Sequence, residues 1–169
     1  MKWTWPGPDL SIVLALAVFV SAPLAAGDTP EASPAAPVLL KTGETVPPFE
    51  ATGINGEIRE VKYTSPTVLV FFLSSCPVCH KMIPEWNQAF ERKPAGVEVV
   101  GVLMDREPPG FFAVTPVTFP VVRSPSREFS RIFKVARVPI TLRVAPGGKV
   151  EDIATGVLDP IRLGEFFRR

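Results

Sequence analysis

Cys76 and Cys79 are the only two cysteines in a chain of 169 residues, and Pro77 and Val78 stand between them. They follow an apolar run, Thr67 to Leu73, with the bulk of a buried strand. The next residues take up a helical pattern that starts at Pro77, a residue tolerated in a first turn. A strand feeding a C-x-x-C at the start of a helix suits disulfide exchange. The first sulfur lies beside the free N–H groups of the helix end, which together with the helix dipole favour the attacking thiolate over the thiol. The second lies one turn along, close enough to close a disulfide or to displace a trapped partner. Cys76 takes the first role and Cys79 the second, with Pro77 and Val78 modulating the couple.

The same residues admit other chemistry. Cys76-Pro77-Val78-Cys79-His80 also matches C-x-x-C-H, the attachment signature of haem c. A C-x-x-C can also be half of a zinc site. Zinc fails on ligand count, since there is no third cysteine and only one histidine. No metal ligands and no bound cofactor are expected. A purely structural pair is disfavoured because a disulfide closing so small a loop adds little stability.

The elements that position this pair follow from periodicity and turn chemistry. Phe49 to Gly53 and Ile58 to Val61 flank Asn55-Gly56, a hairpin signal. The Val68 to Leu73 run lacks polar alternation, as in a central strand covered on both faces. Pro77 to Arg92 reads as a helix kinked at Pro84. Val97 to Met104 reads as a strand ending in Asp105, and Phe119 to Val122 as a short strand. Ser126 to Lys134 reads as an amphipathic helix that buries Phe129, Ile132 and Phe133 and turns Arg127, Arg131 and Lys134 to another face. Ile140 to Ala145 and Lys149 to Ala154 form a hairpin around Pro146-Gly147-Gly148. Asp159-Pro160 opens a last helix to Arg168. Strands alternating with helices, closed by a hairpin and a helix, predict an α/β sandwich with a mixed central sheet.

The N-terminal region is of a different kind. Lys2, the apolar run Leu10 to Val20 and a plausible cleavage site at Leu24-Ala25-Ala26 mark residues 1–26 as an export signal or an N-terminal membrane anchor. Residues 27–40 form an Ala/Pro-rich linker, and 41–169 one packed domain. Export places the domain in a periplasmic or other extracytoplasmic space, where a lone C-x-x-C is a redox couple rather than a staple. The net charge of +1 argues against nucleic acid as a partner.

In this order and spacing the residues resemble a family. The strand leading to Cys76-Pro77-Val78-Cys79, Pro84 in the helix, the Val99-to-Asp105 strand, Phe119-Pro120-Val121-Val122 and Arg137-Val138-Pro139-Ile140-Thr141 are similar to the thioredoxin-like superfamily, within it the exported TlpA/ResA-type redoxins. The similarity covers about Val46 to Phe167. A narrower likeness links Phe72 to Pro84 with the thioredoxin-like accessory protein of methylamine dehydrogenase maturation.

The resemblance implies a three-layer thioredoxin-like sandwich and a thiol–disulfide oxidoreductase, here a reductase of exported protein thiols and disulfides fed by a membrane-bound electron donor. It implies that Pro139 is cis and that Val138 presents its backbone to a partner chain. It also weighs against haem, because His80 becomes the next residue of the active-site helix, exposed or serving as a base. An assembly factor that holds a client or metal on the same fold is the alternative of another class; a peroxidase ranks below both. Two family carboxylates are missing, since Val70 and Met82 occupy their positions.

Six basic residues lie between Val121 and Arg143: Arg123, Arg127, Arg131, Lys134, Arg137 and Arg143, against one acid, Glu128. The expectation is a basic surface that steers an acidic partner, with Arg137 beside the docking loop.

Overall fold

A computed structural model describes residues 2–3 and 39–168. The expected signal or anchor and most of the linker lie outside the described residues. Among the described residues no helix is long and apolar enough to cross a membrane. Packing begins at Leu40, which is buried in the core, so the last linker residue already belongs to the domain.

A five-stranded sheet carries the fold. Its strands are β3 (Thr67–Phe72), β4 (Glu98–Leu103), β5 (Val121–Arg123), β6 (Ile140–Val144) and β7 (Val150–Thr155), ordered β5-β4-β3-β6-β7. β3 runs parallel to β4 and antiparallel to β6, so the sheet is mixed. All six residues of β3 are buried. Its side chains alternate between two cores, as strand geometry requires. Leu69 and Phe71 enter one, with Phe129, Phe133 and residues of the hairpin β1 (Phe49–Thr52) and β2 (Ile58–Val61). Val68, Val70 and Phe72 enter the other, against α1 (Pro77–Glu91) and α4 (Pro160–Arg168). Helices on one face, and a helix with a hairpin on the other, make the three layers expected of the α/β thioredoxin-like fold.

α1 is anchored from its middle. Met82, Ile83 and Trp86 are buried, and Trp86 Nε1 donates to Thr141 Oγ1 of β6 at 3.3 Å. Pro84 lacks the N–H that would bond the carbonyl of His80, a loss of about 3 kcal/mol in an isolated helix. Burying side chains of this size returns roughly 1.5–3 kcal/mol each, so packing holds the helix through its proline. α4 begins where expected: Asp159 Oδ1 accepts from the N–H groups of Ile161 and Arg162, both at 2.9 Å.

Three expectations need correction. The third helix is shorter, α3 spanning Arg127–Ile132, with Ser126 Oγ accepting from Phe129 N–H at 3.1 Å. Phe129 and Phe133 stack at 4.4 Å and fill the inward stripe, which leaves Ile132 outside at 41% exposure. Lys134 lies past the helix end in left-handed backbone, φ +50, so it does not continue the face of Arg127 and Arg131.

The short strand starts at Val121 rather than Phe119. Phe119 packs over Gly101, where a Cβ would come within 2.8 Å of the ring, and the carbonyl of Pro120 accepts from Gly101 N–H at 2.8 Å. A one-turn helix, α2 (Phe111–Val114), was not expected; it has no side-chain cap and follows Gly110 at φ +81.

Arg143 is the third. It is not a surface residue but 3% exposed on β6, with Nη1 donating to the carbonyl of Phe166 at 2.6 Å and Nε to Glu151 at 2.9 Å. It thereby ties α4 to the sheet.

Candidate active site

β3 delivers the chain to the dithiol through Leu73, Ser74 and Ser75. Cys76 is the N-cap of α1, and its Sγ accepts the backbone N–H of Cys79 at 3.1 Å. A sulfur in that place satisfies one of the helix's unbonded donors and sits at the positive end of its dipole. Cys76 is half-buried, whereas Cys79 is fully buried in the α1 side of the core. Both are free thiols. Burial, then the hydrogen bond to Cys76, pushes the Cys79 thiol up to about 12; a contact with the Leu73 backbone pulls weakly the other way.

The two positions where the family resemblance implies a carboxylate are apolar and closed. Val70 is fully buried and Met82 is 1% exposed, and both line the core that holds Cys79. Nothing at either position can take the Cys79 proton.

The other expected site residues fall around the sulfurs. Pro77 opens α1, and Val78 is exposed at 39%. His80 is exposed, but its ring is held: Nε2 lies 2.7 Å from the carbonyl of Ser74, and the ring meets that of Phe111 at 5.7 Å between centroids. The Val138–Pro139 bond is cis. Ile140 pairs with Phe71, so Pro139 lies at the end of the sheet from which the dithiol loop departs. Val138 and Cys76 both pack against the rim of the core that contains Cys79, and the carbonyl of Pro139 accepts from Gly156 N–H at 2.9 Å.

Arg137 is exposed. The basic surface expected around it is largely neutralised. Arg123 pairs with Glu107, Arg131 with Glu128, Lys134 with Glu44 at 2.7 Å and Arg143 with Glu151 at 2.9 Å. Of the six, only Arg127 and Arg137 have no ion-pair partner among the described residues.

Asp105 is the functional candidate that pattern reading missed. Phe72 pairs with Leu103 in parallel register, so Ser74 and Asp105 stand level, two residues beyond the ladder. Asp105 Oδ1 accepts Ser74 N–H at 2.7 Å. Oδ2 accepts the Ser74 hydroxyl at 2.9 Å, Ser75 N–H at 3.2 Å and the Ser75 hydroxyl at 3.1 Å. Burial alone would raise the Asp105 carboxyl, but these donors outweigh it and hold it below its ordinary value. The available signal was two serines closing an apolar strand and an acid closing the next. Beside Asp105 opens a groove of about 1100 Å³ whose lining includes Met104, Glu107, Phe111 and Arg123.

A buried parallel strand, one accessible and one shielded sulfur across a helix N-terminus, and a cis-proline at the same sheet end define the thioredoxin-like dithiol class. Comparison with known proteins narrows this. Residues 41–160 match the Redoxin family model, and the chain belongs to the redoxin family, in its TlpA/ResA-type branch.

Among curated proteins it is similar to the thiol-disulfide oxidoreductase ResA of Oceanobacillus iheyensis, 26% identical over 74% of this chain and 70% of that one. It is also similar to ResA of Bacillus subtilis, 29% identical over 75% and 74%. StoA of Bacillus subtilis has the same fold: a TM-score of 0.64 at 23% identity, covering 73% of this chain and 98% of that one. The chain is an oxidoreductase of the thiol–disulfide class.

Proposed function

We propose that this protein exchanges disulfides with exported partner proteins, acting as their reductase. The carrying observation is the pairing of an N-cap sulfur at Cys76, 3.1 Å from Cys79 N–H, with a fully buried second sulfur at Cys79. The Cys76 thiolate attacks one sulfur of a partner disulfide. The partner's S–S bond breaks, a Cys76–partner mixed disulfide forms, and the other partner sulfur leaves as a thiolate that takes up a proton. Cys79 then loses its proton and attacks Cys76 Sγ. The Cys76–Cys79 disulfide forms and the partner leaves with its second thiol. The partner gains two electrons and this chain loses two; a dithiol donor, in this reading membrane-bound, restores them.

Pro77 and Val78 tune the couple, and the backbone of Val138 before Pro139 lies alongside the partner as a short strand-like contact. The extracytoplasmic location rests on the N-terminal pattern and on the ResA resemblance. Haem attachment loses support from the geometry: His80 Nε2 is taken by Ser74, and Cys79 is closed off from any group outside the core.

Oxidised glutathione tests the reading without a natural partner. The reduced chain should convert to the Cys76–Cys79 disulfide, and a dithiol reagent should reverse it through many cycles. A chain that stays reduced, or accumulates only a dead-end glutathione adduct, is a holding protein and not an exchange catalyst.

A further inference from the structure

Two residues ahead of Cys76 are gripped by a side chain from the neighbouring strand. We propose that Asp105 is a positioning residue for disulfide exchange, clamping Ser74 and Ser75 so that Cys76 stays seated as the N-cap of α1. The inference rests on the exchange function above.

The geometry is specific. Four donors from two consecutive residues converge on one carboxylate, both backbone N–H groups among them. Those two residues have no place in the sheet ladder, which ends at Phe72. Without Asp105 the two N–H groups lose their only acceptor among the described residues, and the turn between strand and helix is held by Cys76 N–H to the Leu73 carbonyl, a bond of 3.3 Å. His80 closes the arrangement from the other side, its Nε2–H donating to the carbonyl of Ser74. Ser74 is thus held at its N–H, hydroxyl and carbonyl at once. The residue that follows Ser75 is Cys76, whose bond with Cys79 N–H needs its sulfur in one place.

Clamping and simple charge predict opposite outcomes when Asp105 is changed to Asn. If the carboxylate acted only as a nearby negative charge, its removal would favour the Cys76 thiolate and make the couple more oxidising. If it clamps, the amide nitrogen now faces hydrogen-bond donors, the turn loosens, and the reduced form loses its N-cap bond.

The test is the equilibrium of the Cys76–Cys79 couple against a glutathione buffer, with iodoacetamide labelling of Cys76 at neutral pH alongside. The expected result for Asp105→Asn is a shift of about fivefold toward the disulfide and labelling slowed by a similar factor, the size of a lost N-cap. Circular dichroism should show the fold retained. An unchanged equilibrium, or a shift toward the dithiol, overturns the proposal.

If Asp105→Asn does not fold, the Ser74→Ala, Ser75→Ala double variant carries the test. It removes both hydroxyl donors and leaves both backbone donors, and a smaller shift in the same direction is expected; no shift overturns the clamp. Neither readout needs a protein partner. Failure of the wild-type dithiol to cycle would instead sink the exchange function itself.

Discussion

Cys79 donates its backbone N–H to the sulfur of Cys76 while its own side chain is sealed in the core. One residue therefore does two things: its backbone donates to the sulfur proposed to attack, and its own thiol is buried behind it. The asymmetry has a direct consequence. Alkylation of the reduced chain at neutral pH should modify Cys76 first, by more than tenfold, because the Cys79 thiol is both inaccessible and held up near 12. Peptide mapping after brief iodoacetamide treatment reads the order. Faster labelling of Cys79 would reverse the assigned roles.

Resolution should be limited by the Cys79 proton. Burial holds the Cys79 thiol well above its ordinary value, so at pH 7 it is almost wholly protonated, and its thiolate fraction grows about tenfold per pH unit until that raised value is reached. The resolving step should therefore accelerate with pH across the neutral and mildly alkaline range. Val70→Asp should speed it near pH 7 and cost roughly 1–3 kcal/mol of stability, since a carboxyl enters a closed apolar site. Stopped-flow decay of a glutathione mixed disulfide measures the step; the same rate in Val70→Asp means another group already takes the proton.

Arg143 should matter for stability and not for exchange. Arg143→Met keeps much of the volume but removes the charged bond to the Phe166 carbonyl, a loss of about 2 kcal/mol. Glu151 is half-exposed, so its charge remains solvated and adds little. Urea unfolding should show a lower midpoint, with glutathione equilibrium unchanged. Stability equal to wild type would mean that buried Leu163, Phe166 and Phe167, with the Arg162–Asp152 ion pair, hold α4 without it.

Arg137 remains the candidate for steering a partner. Pairing of Arg123, Arg131, Lys134 and Arg143 with acids leaves a weak local field, so the effect should be a modest loss of association rate. Arg137→Glu should slow reduction of an acidic partner, and added salt should shrink the difference between wild type and variant. Equal rates at low salt would make Arg137 ordinary surface.

What the sequence made legible was local. The apolar strand, Pro77 after Cys76, Asn55-Gly56 and Asp159-Pro160 act through neighbours in the chain, and each element stands where these residues put it. Contacts between distant residues were not legible. Asp105 reaches Ser74 across 31 positions, and Lys134 reaches Glu44 across 90.

A count of basic residues in one stretch said nothing of the acids that the fold brings to them. Ile132 was misplaced for a related reason. Periodicity identified three candidates for one inward stripe, and the stacking of Phe129 on Phe133 decided which two occupy it.

The most direct test is a trap. In the Cys79→Ser variant a mixed disulfide on Cys76 has no Cys79 thiol to resolve it, so a partner protein that Cys76 attacks should stay attached. Non-reducing electrophoresis and mass spectrometry of that variant, expressed in its own host, should show a protein joined through Cys76, released by dithiothreitol and absent from the Cys76→Ser variant. Adducts that form through Cys79 in Cys76→Ser, or a Cys79→Ser chain that carries no partner at all, would contradict exchange led by Cys76.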